Sequence, residues 1–181
     1  MITYLHFDEL DSTNSFAESL VKTKRPQTPY VITADYQIKG KGTQDRIWYA
    51  QRGESLLYTL VFFSESPVIE VESMVLAAAE EVQAMIFELL QIKMEIKKPN
   101  DLFMNKKKCG GILIKNIMQG KQCWTIIGIG LNVNTLKFPK ELELIATSLF
   151  VETQKIIQIS DLTTPLTNRL LNRYDKIMYN K

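Results

Sequence analysis

The sequence predicts an α+β fold in which strands joined as hairpins pack against a few helices. Two β-branched segments, 110–117 and 122–133, are joined through Gly120 and are typical of a hairpin. Apolar residues at three-to-four spacing predict a long helix over 70–90 and another over 161–179. The chain of 181 residues is long enough to bury the core of one domain without disulfides or a structural metal.

The remaining elements alternate along the chain. A first strand carries His6, and Ser12 is a good N-cap for a helix that extends to about residue 22. The polar stretch 35–54 contains three glycines and predicts a long loop, which in a compact domain is usually functional or disordered. Further short strands are predicted over 30–34, 56–63, 94–97, 111–116 and 125–132.

Composition excludes several classes of function. The chain has 22 Lys and Arg against 20 Asp and Glu, a net charge of +2, so a general polyanion-binding surface is not expected. Its one histidine, His6, and its two cysteines, Cys109 and Cys123, match no zinc-ligand spacing of clustered Cys and His. Nothing around His6 indicates a catalytic triad, so we expect it to be a structural side chain. Any catalysis must therefore depend on lysine, arginine, carboxylates and backbone amides.

The N-terminus indicates the compartment. It has no basic region followed by an apolar one, as a secretory signal would have. The longest apolar runs are far shorter than the roughly 20 residues that span a bilayer. Two cysteines in apolar segments fit a reducing environment. We therefore expect a soluble cytoplasmic protein with neither membrane nor nucleic-acid partners.

The glycine- and lysine-rich loop after the second strand is the strongest local signal. Gly40 and Gly42 allow backbone N–H groups to approach and point at an anion, and Lys41 and Arg46 add positive charge. Trp48 supplies a flat apolar wall. The pattern suits a carboxylate or phosphate ligand, and a solvated surface loop is the alternative. Neither a Walker A sequence nor a strand–GxGxxG–helix context is present.

Three further polar groups lie at predicted strand ends. Asn100 and Asp101 follow a proline, which favours a turn, although Asp101 could also help to hold Mg²⁺ and Asn100 a sugar or phosphate. Lys108 precedes two glycines and an apolar strand, where it could donate to a carboxylate or phosphate. The alternative is a solvated turn of three lysines. Glycines within 128–134 indicate close approach of a ligand or a bulge.

Taken in order, six motifs resemble the catalytic domain of biotin–protein ligases, also called biotin–acetyl-CoA-carboxylase ligases. The resemblance covers residues 4–178. It implies a mixed, largely antiparallel sheet packed against helices, the class II aminoacyl-tRNA synthetase-like fold of biotin–lipoate ligase catalytic domains. We then expect residues 1–181 to form a single catalytic domain, without an N-terminal winged helix and without a C-terminal SH3-like domain. The matching motifs are 12–14, Gln37 with 40–48, 97–101, 108–113, 128–134 and 146–149.

The resemblance implies a two-step reaction with biotin, ATP and Mg²⁺. Biotinyl-5′-adenylate forms first, and a lysine of the biotin carboxyl carrier protein of acetyl-CoA carboxylase then attacks it. Lys108 and Arg46 would be the catalytic residues, and Asp101 would contact Mg²⁺. The implied biotin-binding residues are Ser12, Thr13, Asn14, Gln37, Gly40, Lys41, Gly42, Thr43, Lys108 and Gly111. The implied ATP- and adenylate-binding residues are Lys41, Arg46, Trp48, Asn100, Lys108 and Asn132.

This chain departs from the family pattern at four positions. Lys41 and Thr43 stand where the family usually has arginine, Asp45 where it has glycine, and Lys98 where it has tryptophan. In the family, the arginine at the position of Thr43 is linked to retention of the adenylate. Because threonine carries no positive charge, we expect the adenylate to be retained less well here.

Two other functions stay open. A lipoate or octanoate ligase or transferase shares the fold, but its Arg-Arg-x-x-Gly-Gly-Gly loop is absent, and neither Cys109 nor Cys123 has the transferase's catalytic pattern. A non-catalytic protein that binds biotin or its carrier would fit the departures at Thr43 and Lys98. Relatives often pair through a sheet edge, so a homodimer is also open.

Overall fold

The computed structural model describes residues 1–43, 46–65, 70–97 and 99–179. The predicted α+β class is confirmed, and no helix in these ranges is both long and apolar enough to cross a membrane. In chain order, the elements are β1 (Thr3–Phe7), α1 (Thr13–Lys24), β2 (Tyr30–Ala34), β3 (Ser55–Ser64), α2 (Val71–Leu90), β4 (Glu95–Lys97), β5 (Asp101–Met104), β6 (Lys107–Gln119), β7 (Gln122–Asn132), α3 (Lys140–Glu143), α4 (Leu149–Thr153) and α5 (Ser160–Tyr179).

Seven strands form one mixed sheet in the order β1-β2-β3-β7-β6-β5-β4. Only β1 and β2 pair in parallel, and every other neighbouring pair is antiparallel. The predicted hairpin is confirmed: β6 and β7 pair along their length, and Gly120 at their turn has φ +60°, which favours glycine. The longest strands, β3, β7 and β6, therefore form the rigid centre of the sheet.

The helices cover both faces of the sheet. Side chains alternate along β3, so that Leu60 faces one core and Val61 the other. Helices α2 and α5 pack on the Leu60 face, where Leu170 and Tyr174 of α5 are fully buried. Helix α1 packs on the Val61 face through Ala17 and its neighbours. This separation leaves the start of α1 facing the middle of the sheet.

Local sequence explains where α1 begins and ends. The Ser12 hydroxyl caps the helix by accepting a hydrogen bond from the backbone N–H of Ser15. The helix ends at Arg25, which has a left-handed φ of 46° and is followed by Pro26. The cap fixes the position of the two residues that follow it, Thr13 and Asn14.

Some elements were not predicted from the sequence. Strand β5 is only four residues long, and helices α3 and α4 have four and five. Segments this short have no measurable hydrophobic period. The turn after β5 places Asn105 and Lys106 at positive φ, so the three-lysine run divides between this turn and β6, and Lys108 belongs to the strand. Lys98 lies outside the described residues.

We expect Leu170→Ala to lower the free energy of unfolding by about 2–5 kcal/mol, because it leaves a cavity between α5 and the sheet. Leu144→Ala is the control, since Leu144 is 82% exposed and its truncation leaves no buried cavity. Urea unfolding measures both. Equal losses in the two variants would contradict the packing of α5 described here.

Candidate active site

A cleft lies on the α1 face of the sheet, between the start of α1, the loop over 40–48 and strands β3, β7 and β6. Counting the space at its open mouth, it holds about 460 Å³ of empty volume. The predicted binding residues that line it are Ser12, Thr13, Asn14, Gln37, Lys41, Gly42, Thr43, Trp48, Asn100, Lys108 and Gly111.

One end of the cleft is a network of uncharged polar side chains. The Gln37 Oε1 atom accepts from the backbone N–H of Thr13 at 2.8 Å and from its hydroxyl at 3.0 Å. The buried Thr59 hydroxyl donates to Asn14 Oδ1 at 2.6 Å. Because the oxygens of both amides are engaged, the NH₂ groups of Gln37 and Asn14 remain as donors. This amide end is therefore arranged to bind a neutral hydrogen-bond acceptor.

Glycine in β7 lets the amide end lie directly on the sheet. A Cβ atom on Gly128 would be 2.3 Å from Asn14 Oδ1 and 2.4 Å from its Nδ2. Such contacts are impossible without displacing the asparagine. Strand β7 therefore needs glycine at position 128, because only then can the Asn14 side chain of α1 lie against the strand.

Trp48 covers the next glycine of the same strand. A Cβ atom on Gly130 would be 2.5 Å from Trp48 Cε2, so the indole ring lies flat against the backbone of β7. The indole N–H is buried and has no hydrogen-bond partner among the described residues. An unpaired buried donor is costly unless a ligand satisfies it. Trp48 thus gives the cleft an apolar wall, and its indole N–H lies 2.9 Å from the Cβ position of Gly130.

The loop that carries Trp48 is itself a small hairpin. Gly42 N–H donates to the Arg46 carbonyl at 2.7 Å, and Trp48 N–H donates to the Gly40 carbonyl at 2.9 Å. A Cβ atom on Gly40 would be 2.5 Å from the Trp48 carbonyl oxygen, so this close pairing requires glycine. The Arg46 side chain is exposed and donates to the carbonyl and hydroxyl of Thr43. Asp45 lies outside the described residues.

Lys108 forms the cationic end of the cleft. Its Nζ atom is 2.6 Å from Asp101 Oδ1, an ion pair without a well-directed hydrogen bond. The two side chains are 31% and 22% exposed, and the Nζ atom also lies 5.7 Å from the centre of the Trp48 ring. Backbone hydrogen bonds to Ile145 and Thr147 hold Lys108 in place. An ammonium group has three donors, so the pair with Asp101 leaves two for a ligand.

The two ends of the cleft are a short distance apart along β7. Gly128 faces the amide end, whereas Gly130 faces Trp48 and pairs with Gly111 of β6, whose Cβ position is 3.6 Å from Lys108 Nζ. Residues two apart on a strand are separated by about 7 Å. One small molecule with a neutral polar head and an anionic tail can therefore contact both ends at once.

Four predicted residues do not line the cleft. Gly40 and Arg46 shape the loop, and Asp101 lies behind Lys108. Asn132 is 4% exposed, and its Nδ2 donates to the Thr147 carbonyl at 3.0 Å. Its amide therefore supports the segment beside Lys108 in this structure.

The site contains further residues beside those predicted to bind biotin or ATP. Gly128 and Gly130, where glycine within the strand indicated close approach, form the floor of the cleft. Thr59 had no such signal, because its role depends on contacts with residues more than 40 positions away.

Cys109 follows Lys108 but faces away from the cleft. It is fully buried, and its thiol lies 3.5 Å from the Asn132 carbonyl oxygen. Burial and, to a smaller degree, the charge of Glu152 raise the pKa of the Cys109 thiol far above its ordinary value. A thiol in this state supplies no thiolate nucleophile. This argues against a cysteine-dependent transferase.

Comparison with known proteins identifies relatives of this chain. The model of the biotin/lipoate A/B protein ligase family matches residues 6–132. The bifunctional ligase/repressor BirA of Bacillus subtilis is 37% identical over 150 residues, which is 80% of this chain and 45% of BirA. The chloroplastic biotin–protein ligase 1 of Arabidopsis thaliana is 34% identical over 110 residues, 58% of this chain and 29% of that protein. The chain thus spans about half the length, or less, of these relatives.

The fold is similar to that of solved ligase structures. The biotin protein ligase of Aquifex aeolicus in complex with biotin and ATP superposes with a TM-score of 0.82 and 26% identity, over 97% of this chain and 72% of that one. The Leishmania major enzyme in complex with biotinyl-5-AMP has a TM-score of 0.80 at 22% identity, covering 98% and 77%, and supports the fold alone.

We expect Gly130→Ala to displace Trp48 from the cleft, since the added methyl group would meet the indole ring at 2.5 Å. Gly111→Ala is the matched control on the paired strand, because its methyl group would be at an ordinary 3.5 Å from the nearest atoms. The indole N–H resonance of Trp48, identified with Trp48→Phe, should shift strongly in the first variant and slightly in the second. Similar shifts in both would contradict the packing.

Proposed function

We propose that this chain, which belongs to the biotin/lipoate A/B protein ligase family, is a biotin–protein ligase. In the first step, a biotin carboxylate oxygen attacks the α-phosphorus of ATP, the bond to the β-phosphate bridging oxygen breaks, and pyrophosphate leaves. In the second, a carrier lysine amine attacks the carbonyl carbon of biotinyl-5′-AMP, loses a proton, and AMP leaves. The product is an amide on a biotin carboxyl carrier protein, such as that of acetyl-CoA carboxylase.

The observation that carries this proposal is the pairing of two unlike ends in one cleft. Uncharged NH₂ donors of Asn14 and Gln37 suit the carbonyl of the biotin ureido ring. The cationic end, where Lys108 lies beside Gly111 on the neighbouring strand β6, suits the biotin carboxylate and the α-phosphate. The indole of Trp48 covers the apolar region between them. A purely charged ligand would leave the amide end unused.

The chemistry at the cationic end depends on Lys108. Two anions, a carboxylate and a phosphate, must come into contact before they react, and their repulsion opposes this. The two free donors of the ammonium group can bridge both and stabilise the charge that develops on the phosphate oxygens. Asp101 holds the ammonium group in place from behind. Lys41 lines the cleft, which supports a role for it in contacting the phosphates.

Mg²⁺ fits this site as a companion of ATP. Magnesium is usually held by one or two carboxylates together with substrate phosphates. Asp101 does not line the cleft and uses Oδ1 to pair with Lys108, so its other carboxylate oxygen is the one left for a cation, and Asn100 lines the cleft next to it. When bound, the ion would neutralise phosphate charge. Asp101 is therefore the residue we propose to contact it.

A lipoate or octanoate ligase is the second candidate within the same family. Both substrates share the carboxylate but lack a ureido group. The orientation of the Asn14 and Gln37 amides by Thr13 and Thr59 favours biotin, because these donors would stay unsatisfied beside an aliphatic or dithiolane head.

We expect Lys108→Ala to lower the rate of ATP-dependent incorporation of labelled biotin into a carrier domain by about 10²–10³-fold, the usual loss for one donor to a developing charge. Lys107→Ala is the matched control, because the neighbouring Lys107 donates to the Glu143 carbonyl and does not line the cleft. Isotope-labelled biotin, lipoate and octanoate are tested in parallel. Incorporation from lipoate or octanoate alone would reject the biotin assignment, and incorporation from none would indicate a binding protein.

We further expect Thr43→Arg to slow release of biotinyl-5′-AMP by at least about tenfold, because one charge-assisted hydrogen bond contributes roughly 1.5–3 kcal/mol. Thr43 lines the cleft and carries no charge of its own. Rapid filtration of enzyme loaded with labelled adenylate measures the release rate. Thr43→Gln, which adds length without charge, should leave the rate near that of the native protein; a native rate in Thr43→Arg would refute the idea.

A further inference from the structure

The Glu152 carboxylate on α4 joins the turn that precedes Lys108 to the segment that pairs with Lys108. Its Oε1 atom accepts a hydrogen bond from the Thr147 hydroxyl at 2.5 Å, and its Oε2 atom accepts one from the Asn105 amide. Glu152 forms no ion pair with any side chain in the described ranges. Its position is therefore explained by these two neutral donors and not by a cation.

The segment 145–147 is the hydrogen-bonding neighbour of Lys108. The Lys108 N–H donates to the Ile145 carbonyl at 2.8 Å, and the Thr147 N–H donates to the Lys108 carbonyl at 2.9 Å. Thr147 is 1% exposed, and its hydroxyl is the donor that Glu152 binds. A displacement of Thr147 would therefore move the backbone of Lys108 with it.

The turn between β5 and β6 is strained and benefits from an outside contact. Met104 pairs with Lys107, so Asn105 and Lys106 form a two-residue hairpin turn, with φ of 46° and 65°. Positive φ at both positions normally takes Asn-Gly, because a side chain at the second position is unfavourable in this conformation. The hydrogen bond from the Asn105 amide to Glu152 anchors this turn from outside the hairpin.

Helix α4 gives Glu152 a fixed base. Leu149 is fully buried in the larger core, and the Ser148 hydroxyl caps the first turn of the helix. The Phe150 N–H donates to the carbonyl of Val133, the residue that follows β7, at 2.8 Å. The carboxylate is thus held by the central part of the sheet, and it holds the turn and the segment in turn.

We propose that Glu152 is a positioning residue for Lys108, an inference that rests on the ligase function proposed above. A carboxylate accepts hydrogen bonds at both oxygens, so it can hold two neutral donors at once. By fixing both neighbours of the strand at Lys108, it keeps the ammonium group where a carboxylate and a phosphate can meet. Small displacements of a catalytic group cost large factors in rate, even when their cause is remote. Glu152 does not line the cleft, so it acts through Lys108.

The first test measures biotin-dependent exchange of labelled pyrophosphate into ATP. Glu152→Ala and Thr147→Val should each lower this rate by about tenfold, because either change releases Thr147 from the carboxylate. Thr147→Ser, which keeps the hydroxyl, should restore most of the rate. In a Lys108→Ala background, Glu152→Ala should change the residual rate by less than about twofold, because no ammonium group is left to misplace. A role in general stability would lower the rate equally in both backgrounds.

The second test is amide hydrogen exchange, which needs no substrate. In Glu152→Ala, exchange at the Lys108 and Thr147 N–H groups should be faster by about tenfold, whereas amides of β6 over 112–117 should keep their native rates. Glu141→Ala is the control for both tests, because Glu141 is an exposed carboxylate of α3 in the same stretch of chain. It should leave both the pyrophosphate rate and the two amides unchanged.

Two kinds of failure are distinguishable. A native chain without biotin-dependent pyrophosphate exchange would contradict the ligase function itself. Native activity in Glu152→Ala, an equal loss with and without Lys108, or native exchange at the Lys108 and Thr147 amides would overturn the role of Glu152 alone.

Discussion

The close packing of side chains onto β7 is the constraint on which the rest of the cleft depends. Asn14 from α1 and Trp48 from the loop both rest against backbone at positions where any Cβ atom would lie within 2.3–2.5 Å of them. Because β7 is paired on both sides, with β3 and β6, the floor cannot move to relieve a clash. The depth of the cleft and the separation of its two ends are therefore set by two glycines in the most constrained strand.

The charged groups of the site are few and lie close together. The overall composition of the chain therefore gives little indication that a charged site exists. Lys108 and Asp101 largely cancel each other, so they add nothing to the net charge of +2. Their partial burial under Trp48 nonetheless strengthens the field that an incoming anion experiences, since the effective dielectric constant is lower there than in water. Because Asp101 stays behind the ammonium group, the two remaining donors of Lys108 are already in position for an anionic substrate.

The sequence alone could predict the features that depend on residues close together along the chain. Periodicity predicted α2 and α5, and Ser12 and Gly120 marked a helix start and a hairpin turn correctly. It could not predict the link from Thr59 to Asn14, which joins β3 to α1 across 45 positions. Nor could it predict that the Asn132 amide turns towards Thr147, or that His6 meets Asp35, because both depend on which strands and loops become neighbours.

The two ends of the cleft differ in how firmly the fold holds them. Lys108 lies on β6, inside the central antiparallel hairpin, where many backbone hydrogen bonds must break together before the lysine moves. The amide end is held by segments that continue from β1 and β2, and β1 is a five-residue edge strand paired on one side only. Edge elements open at lower free-energy cost than central ones. Recognition of the neutral head group therefore depends on the less stable part of the sheet, and contacts that fasten β1 to β2 control how well its donors are preorganised.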